Sequence, residues 1–149
     1  MNGAHRGEPR SRRRGRRGGV NWSRHGDTGS ERLIVGHLNV QSLKPKLPDL
    51  RNDIYSTYGF DILALSETWL APNIPDRLLT VSGYKLYRSD RPDGMNLPKG
   101  RGGVALLVRN SVKCELLPRP DIGIAASQLE IVWILVHLDN NRSALIASV

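Results

Sequence analysis

With 149 residues, the chain has room for one domain, or for one domain plus a tail. Its single cysteine, Cys114, excludes an intrachain disulfide and suits a reducing compartment. No apolar run approaches the roughly 18 residues that span a bilayer, and the longest, at 131–138, is flanked by Glu130 and interrupted by His137.

Charge is placed unevenly. Eight arginines stand against one glutamate in residues 1–25, a net +7, so the chain's total of +8 leaves only +1 for residues 26–149. Residues 1–30 bury too little to offset their ordering entropy, which predicts a basic, Arg/Gly-rich disordered tail ahead of a domain over 31–149. The opening MNGAHRGEPR lacks the apolar stretch of a signal peptide, and the segment lacks the amphipathic face of a transit peptide. The expected address is intracellular, nuclear or cytoplasmic. The run Arg12, Arg13, Arg14, Arg16 and Arg17 has the chemistry to bind phosphate backbones or to act as a nuclear-import signal. A solvated linker, or a stretch of non-native reading frame, accounts for it equally well.

Ordered structure is expected from Arg32. LIVGHLNV (33–40) alternates as a strand, with Leu33, Val35, His37 and Asn39 on one side. Leu47, Leu50, Ile54 and Tyr58 then recur at helical spacing, predicting a helix over 47–58 that is stopped by Gly59. Pro45 and Pro48 are acceptable before or within its first turn. FDILALSE (60–67) reads as a second strand, and the strand–helix–strand spacing favours a parallel pair. Further strands are expected in VSGYKLYRSD (81–90), VALLVRN (104–110), LEIVWILVHLD (129–139) and RSALIASV (142–149). RPDGMNLPKGRGG (91–103) and Asn140-Asn141 are turn chemistry. Without helices between them, the later strands are expected to be antiparallel. The pattern is an α/β chain combining one βαβ unit with a meander.

Parallel neighbours bring their C-terminal ends to one rim of the sheet, where open α/β sheets hold ligands. Asn39 ends the first strand and Glu67 the second. An amide beside a carboxylate suits a hard cation such as Mg²⁺, which binds through oxygen and is often held by one or two carboxylates plus water and phosphate. The plainer alternative makes Glu67 the first solvated residue after a buried strand. His37 shares the Asn39 face and is expected to pack. Trp69 is expected in the core, or under the Glu67 site. His137 and Asp139 alternate near the end of one strand, and a strand running into a turn explains them better than an acid–base dyad. GRGG (100–103) precedes a strand, unlike phosphate loops, which precede helices. It is therefore a hairpin turn, with Arg101 a candidate contact to a DNA backbone.

HLNVQSL (37–43), DILALSETWL (61–70) and YRSDRPDGMNLPKGRGGVALLVRNS (87–111) together resemble the endonuclease/exonuclease/phosphatase superfamily. The likeness, over residues 33–149, is to the endonuclease domain at the N-terminus of non-LTR (LINE-like, jockey-type) retrotransposon polyproteins. It implies the N-terminal part of a four-layer α/β sandwich and cleavage of DNA phosphodiesters with Mg²⁺ (or Mn²⁺), nicking a target to prime reverse transcription. By motif match, Glu67 corresponds to the metal-binding glutamate and Asn39 to the asparagine that orients metal and phosphate. The family's Tyr-bearing turn, Asp-x-Asn pair and Ser-Asp-His lie downstream of the strand that here ends at Val149. A truncated domain is thus expected, holding metal weakly, with Ile131, Trp133 and Leu135 short of cover and no useful nuclease activity. The alternatives are a non-catalytic nucleic-acid binder acting through the Arg-rich tail and a phosphoesterase of the same superfamily. Oligomeric state is left open.

Overall fold

The computed structural model describes residues 32–56, 59–91, 101–118, 129–139 and 141–149. Residues 1–31, which include the arginine run, lie outside these ranges, as do Tyr58, Asn140 and most of the 91–103 turn. The elements run β1 (Val35–Asn39), α1 (Leu43–Ser56), β2 (Ile62–Ser66), a short 3-10 turn (Asp76–Leu78), β3 (Tyr84–Ser89), β4 (Val104–Arg109), β5 (Cys114–Leu116), β6 (Val132–His137) and β7 (Ser143–Ser148).

β1 and β2 are parallel, in register from Val35 opposite Ile62 to Asn39 opposite Ser66. The crossover helix α1 begins at Leu43, four residues before the sequence periodicity suggests. The cause is tertiary. The Ser42 and Leu43 N–H groups donate to the carbonyls of Glu67 and Thr68, both at 2.9 Å, so part of the helix's unpaired N-terminus is satisfied by the segment that leaves β2. Pro45 falls in the first turn, where no intrahelical donor is needed. Pro48 lies deeper, inside the helix, and gives up one bond there. Leu43, Leu47, Leu50 and Ile54 form the buried stripe.

A four-stranded sheet, in the order β1-β2-β4-β3, mixes that parallel pair with antiparallel β2–β4 and β3–β4 pairings. Both faces of β2 and β4 are covered, which is why these strands read as continuous apolar runs. Leu63, Leu65, Ala105 and Leu107 pack under α1. Ile62, Ala64, Val104, Leu106 and Val108 meet Val132, Ile134 and Val136 of a second, antiparallel sheet, β5-β6-β7. Strand β5 carries no pattern in the sequence; it is three residues long and is defined by its pairing with β6.

The described layers are therefore helix, sheet and sheet. Contrary to expectation, Ile131 is buried. Trp133 and Leu135 on the outer face of β6 are half-buried, and neighbouring Leu145 is exposed. Among the described residues, no helix is long and apolar enough to cross a membrane.

Candidate metal centre

The ends of β1 and β2 meet at one rim, as parallel pairing requires. Asn39 is exposed there, opposite Ser66 and one residue short of the level of Glu67. His37 is not packed, as its alternation suggested. It is exposed, and its Nε2 lies 3.1 Å from the Ser66 hydroxyl. The second sheet reaches the same end, where the buried Ser148 hydroxyl donates to the Leu65 carbonyl at 3.1 Å.

Beyond Ser66 the chain turns sharply. Glu67 and Trp69 adopt φ of 56° and 54°, a left-handed conformation that costs non-glycine residues energy unless the surroundings impose it. Here they do. On one side the Glu67 and Thr68 carbonyls cap α1. On the other, the Thr68 and Trp69 N–H groups donate to the carbonyls of Gly103 and Gly102 at 3.0 and 2.9 Å. Gly103, with φ of 79°, makes this approach possible, because a Cβ there would come within 2.5 Å of the buried Thr68 hydroxyl oxygen.

The kink determines how the Glu67 carboxylate is held. Its Oε2 accepts the Trp69 indole N–H at 2.8 Å and the Gly102 backbone N–H at 3.1 Å. Those two donors, the indole first, hold the carboxyl below its usual range. Partial desolvation opposes them, and the charges of Arg91 and Arg101 add a little. Both donors bind the same oxygen, and among the described residues no donor reaches Oε1. Trp69 is thus not a core residue: it is 37% exposed and serves as a donor. Gly100 and the turn before it lie outside the described residues; residues 101–103 lead into β4, which pairs antiparallel with β3, and Gly102 also feeds an N–H to the carboxylate.

Two contributors, Arg91 and Glu130, carry no sequence signal that marks them as partners. Arg91, just after β3, forks onto Glu130, just before β6, with Nε–Oε1 2.5 Å and Nη2–Oε2 3.1 Å. The residues are 39 positions apart and fall in no shared motif. Arg101 is exposed and close enough for its charge to act on Glu67. His137 and Asp139 lie elsewhere. His137 bonds Glu115 at 2.9 Å, and both His137 and Asp139 line a cavity of about 440 Å³ with Arg32, Asp61 and Lys113, around the opposite end of β2.

Among the described residues, no group of three or more His, Cys, Asp or Glu side chains converges as a metal cluster. One carboxylate with an oxygen that no donor reaches among the described residues, and an exposed asparagine ending the neighbouring strand, nevertheless have the chemistry for a hard cation that keeps most of its waters.

No family model matches the chain, and no curated protein does. Solved structures do. The chain is similar to the human Nocturnin catalytic domain with bound sulfate anion, at 19% identity and a TM-score of 0.51, covering 77% of this chain and 48% of that one. It is also similar to the AP endonuclease LMAP from Leishmania major, at 18% identity and a TM-score of 0.55, covering 78% and 38%. A 3′ phosphatase, NExo from Neisseria, bound to product DNA hairpin, matches at 23% identity but with a TM-score of 0.44, covering 76% and 40%. The chain thus spans less than half of each of these structures. Nocturnin and LMAP have endonuclease/exonuclease/phosphatase-type folds, and the α/β architecture described above is shared with them.

Proposed function

We propose that residues 31–149 carry the metal-holding part of a Mg²⁺-dependent phosphodiesterase of the endonuclease/exonuclease/phosphatase type. The parent domain would be the DNA-nicking endonuclease of a non-LTR retrotransposon polyprotein, acting to prime reverse transcription. The observation that carries this reading is the Glu67 carboxylate. It is held on one oxygen by two N–H groups that lower its pKa, and among the described residues no donor reaches its second oxygen, at the rim where parallel strands end.

Glu67 holds the cation and Asn39 supplies a neutral oxygen beside it. A bound Mg²⁺ contributes Lewis-acid charge at a phosphoryl oxygen. Arg101, exposed near the same carboxylate, offers a cation to a DNA phosphate, and Ser66 and His37, bonded to each other, occupy the same rim. With one carboxylate in the proposed donor set, Mg²⁺ or Mn²⁺ binding would be weak.

The test is Mg²⁺-dependent binding and nicking of supercoiled plasmid by the full chain, beside Glu67→Ala and with an inositol phosphate as competing substrate. Mg²⁺-dependent retention of DNA that is lost in the variant supports the reading. Preference for the inositol phosphate would favour a small-phosphoester enzyme. Binding identical in both proteins, with or without Mg²⁺, would remove the site and leave a nucleic-acid binder acting through Arg12, Arg13, Arg14, Arg16 and Arg17.

A further inference from the structure

We propose that Arg91 is the positioning residue for Glu67. Clamped by Glu130 and seated against Gly102, its guanidinium fixes the glycine whose N–H holds one carboxylate oxygen and leaves the other open to a cation. The inference rests on the reading that Glu67 is a cation ligand, and it assigns the part that aims it.

Gly102 is gripped on three sides. Its N–H donates to Glu67 Oε2 at 3.1 Å, and its carbonyl accepts the Trp69 N–H at 2.9 Å. The third side is Arg91: a Cβ at position 102 would lie 2.5 Å from both Cζ and Nη2 of that guanidinium. The planar group therefore occupies the space a side chain would take. With φ of 83° and another glycine following, this turn has little backbone stiffness of its own, so an external brace matters.

The brace is itself anchored across the molecule. Arg91 follows a strand of the first sheet, whereas Glu130 precedes a strand of the second, and the pair is bidentate. Its side chains are 26% and 12% exposed, so solvent screens it less than a fully exposed ion pair. A planar fork fixes direction as well as charge, which lysine at the same place would not do. The carboxylate geometry thus depends on how the two sheets sit at this end, through a chain of contacts from Glu130 to Arg91 to Gly102 to Glu67.

Mn²⁺ titration and hydrogen–deuterium exchange of the full chain test this, comparing wild type with Arg91→Gln, Arg91→Lys and Glu130→Gln. Outer contacts to a metal ligand commonly change affinity about 10–100-fold. Arg91→Gln is expected to weaken Mn²⁺ binding by about 10-fold or more and to speed exchange at the Gly102 amide, with β6 amides unchanged. Arg91→Lys should recover only part of either effect. Wild-type Mn²⁺ affinity together with wild-type Gly102 exchange in Arg91→Gln would overturn the proposal. If Glu67→Ala binds Mn²⁺ as well as wild type, the metal reading fails, and Gly102 exchange, which needs no metal, still decides whether Arg91 braces the turn. Should Arg91→Gln fail to fold, Glu130→Gln loosens the same fork with little change of volume, and unchanged exchange there is equally contrary.

Discussion

Glu67, Thr68 and Gly103 show how tightly the rim is specified at the level of single residues. Thr68 is fully buried, and its hydroxyl oxygen sits where a Cβ at 103 would collide. Gly103→Ala must therefore accept both a left-handed φ and that contact. A loss of about 1–3 kcal/mol is expected, read as a lowered urea midpoint with an unchanged slope. Asp90 gives a different test. Its side chain is 7% exposed, Oδ1 has no hydrogen-bond partner among the described residues, and Oδ2 lies 3.3 Å from Arg88 Nη1. Burial raises its pKa, with the Arg88 charge opposing and Asp76 adding. A carboxyl whose folded pKa lies above its unfolded value favours the folded state while protonated. That contribution is present below the ordinary carboxylate range and is lost as pH rises through the raised folded value. Asp90→Asn should flatten this part of the stability–pH curve, which urea unfolding across the acid range would measure. A curve unchanged by the substitution would contradict the assignment.

At the scale of elements, β4 holds the sandwich together, since it packs on both faces. Leu106→Ala empties a fully buried site between the sheets, and a loss of about 2–5 kcal/mol is expected in chemical unfolding. The same double-sided burial explains why β2, β4 and the parallel β1–β2 crossover were legible in the sequence: buried strands show as apolar runs, and the helix as a 3–4 spacing. The helix start was not legible, because the carbonyls of Glu67 and Thr68 set it from across the fold. β5 was not legible because three residues hold too little pattern. Of the site, Glu67 and the end of β1 could be placed from strand endings and motif. The Trp69 donor had only an E-x-W spacing to announce it, and the Arg91–Glu130 fork had nothing local at all.

For the whole molecule, charge and surface point to two behaviours. Nearly all the net positive charge lies in residues 1–25, so DNA affinity should fall steeply with salt and show no sequence preference. Deleting residues 1–30 should reduce the salt slope by about 0.9 for each phosphate that the tail neutralises. An unchanged slope would move binding to the fold. Edge strands β1 and β7 carry no acidic residue, lysine, arginine or proline, and Val35, Leu38 and Leu145 are 46%, 45% and 54% exposed. Such edges favour pairing with other chains, so concentration-dependent association is expected in sedimentation, reduced by Leu38→Lys.

The most direct test of the metal assignment is a Mn²⁺ titration of the full chain beside Glu67→Ala, followed by the disappearance of the free-ion electron spin signal. Saturable binding of one ion by the wild type, abolished in the variant and weakened in Asn39→Ala, is the expected result. Equal Mn²⁺ uptake by wild type and Glu67→Ala would show that this carboxylate holds no metal.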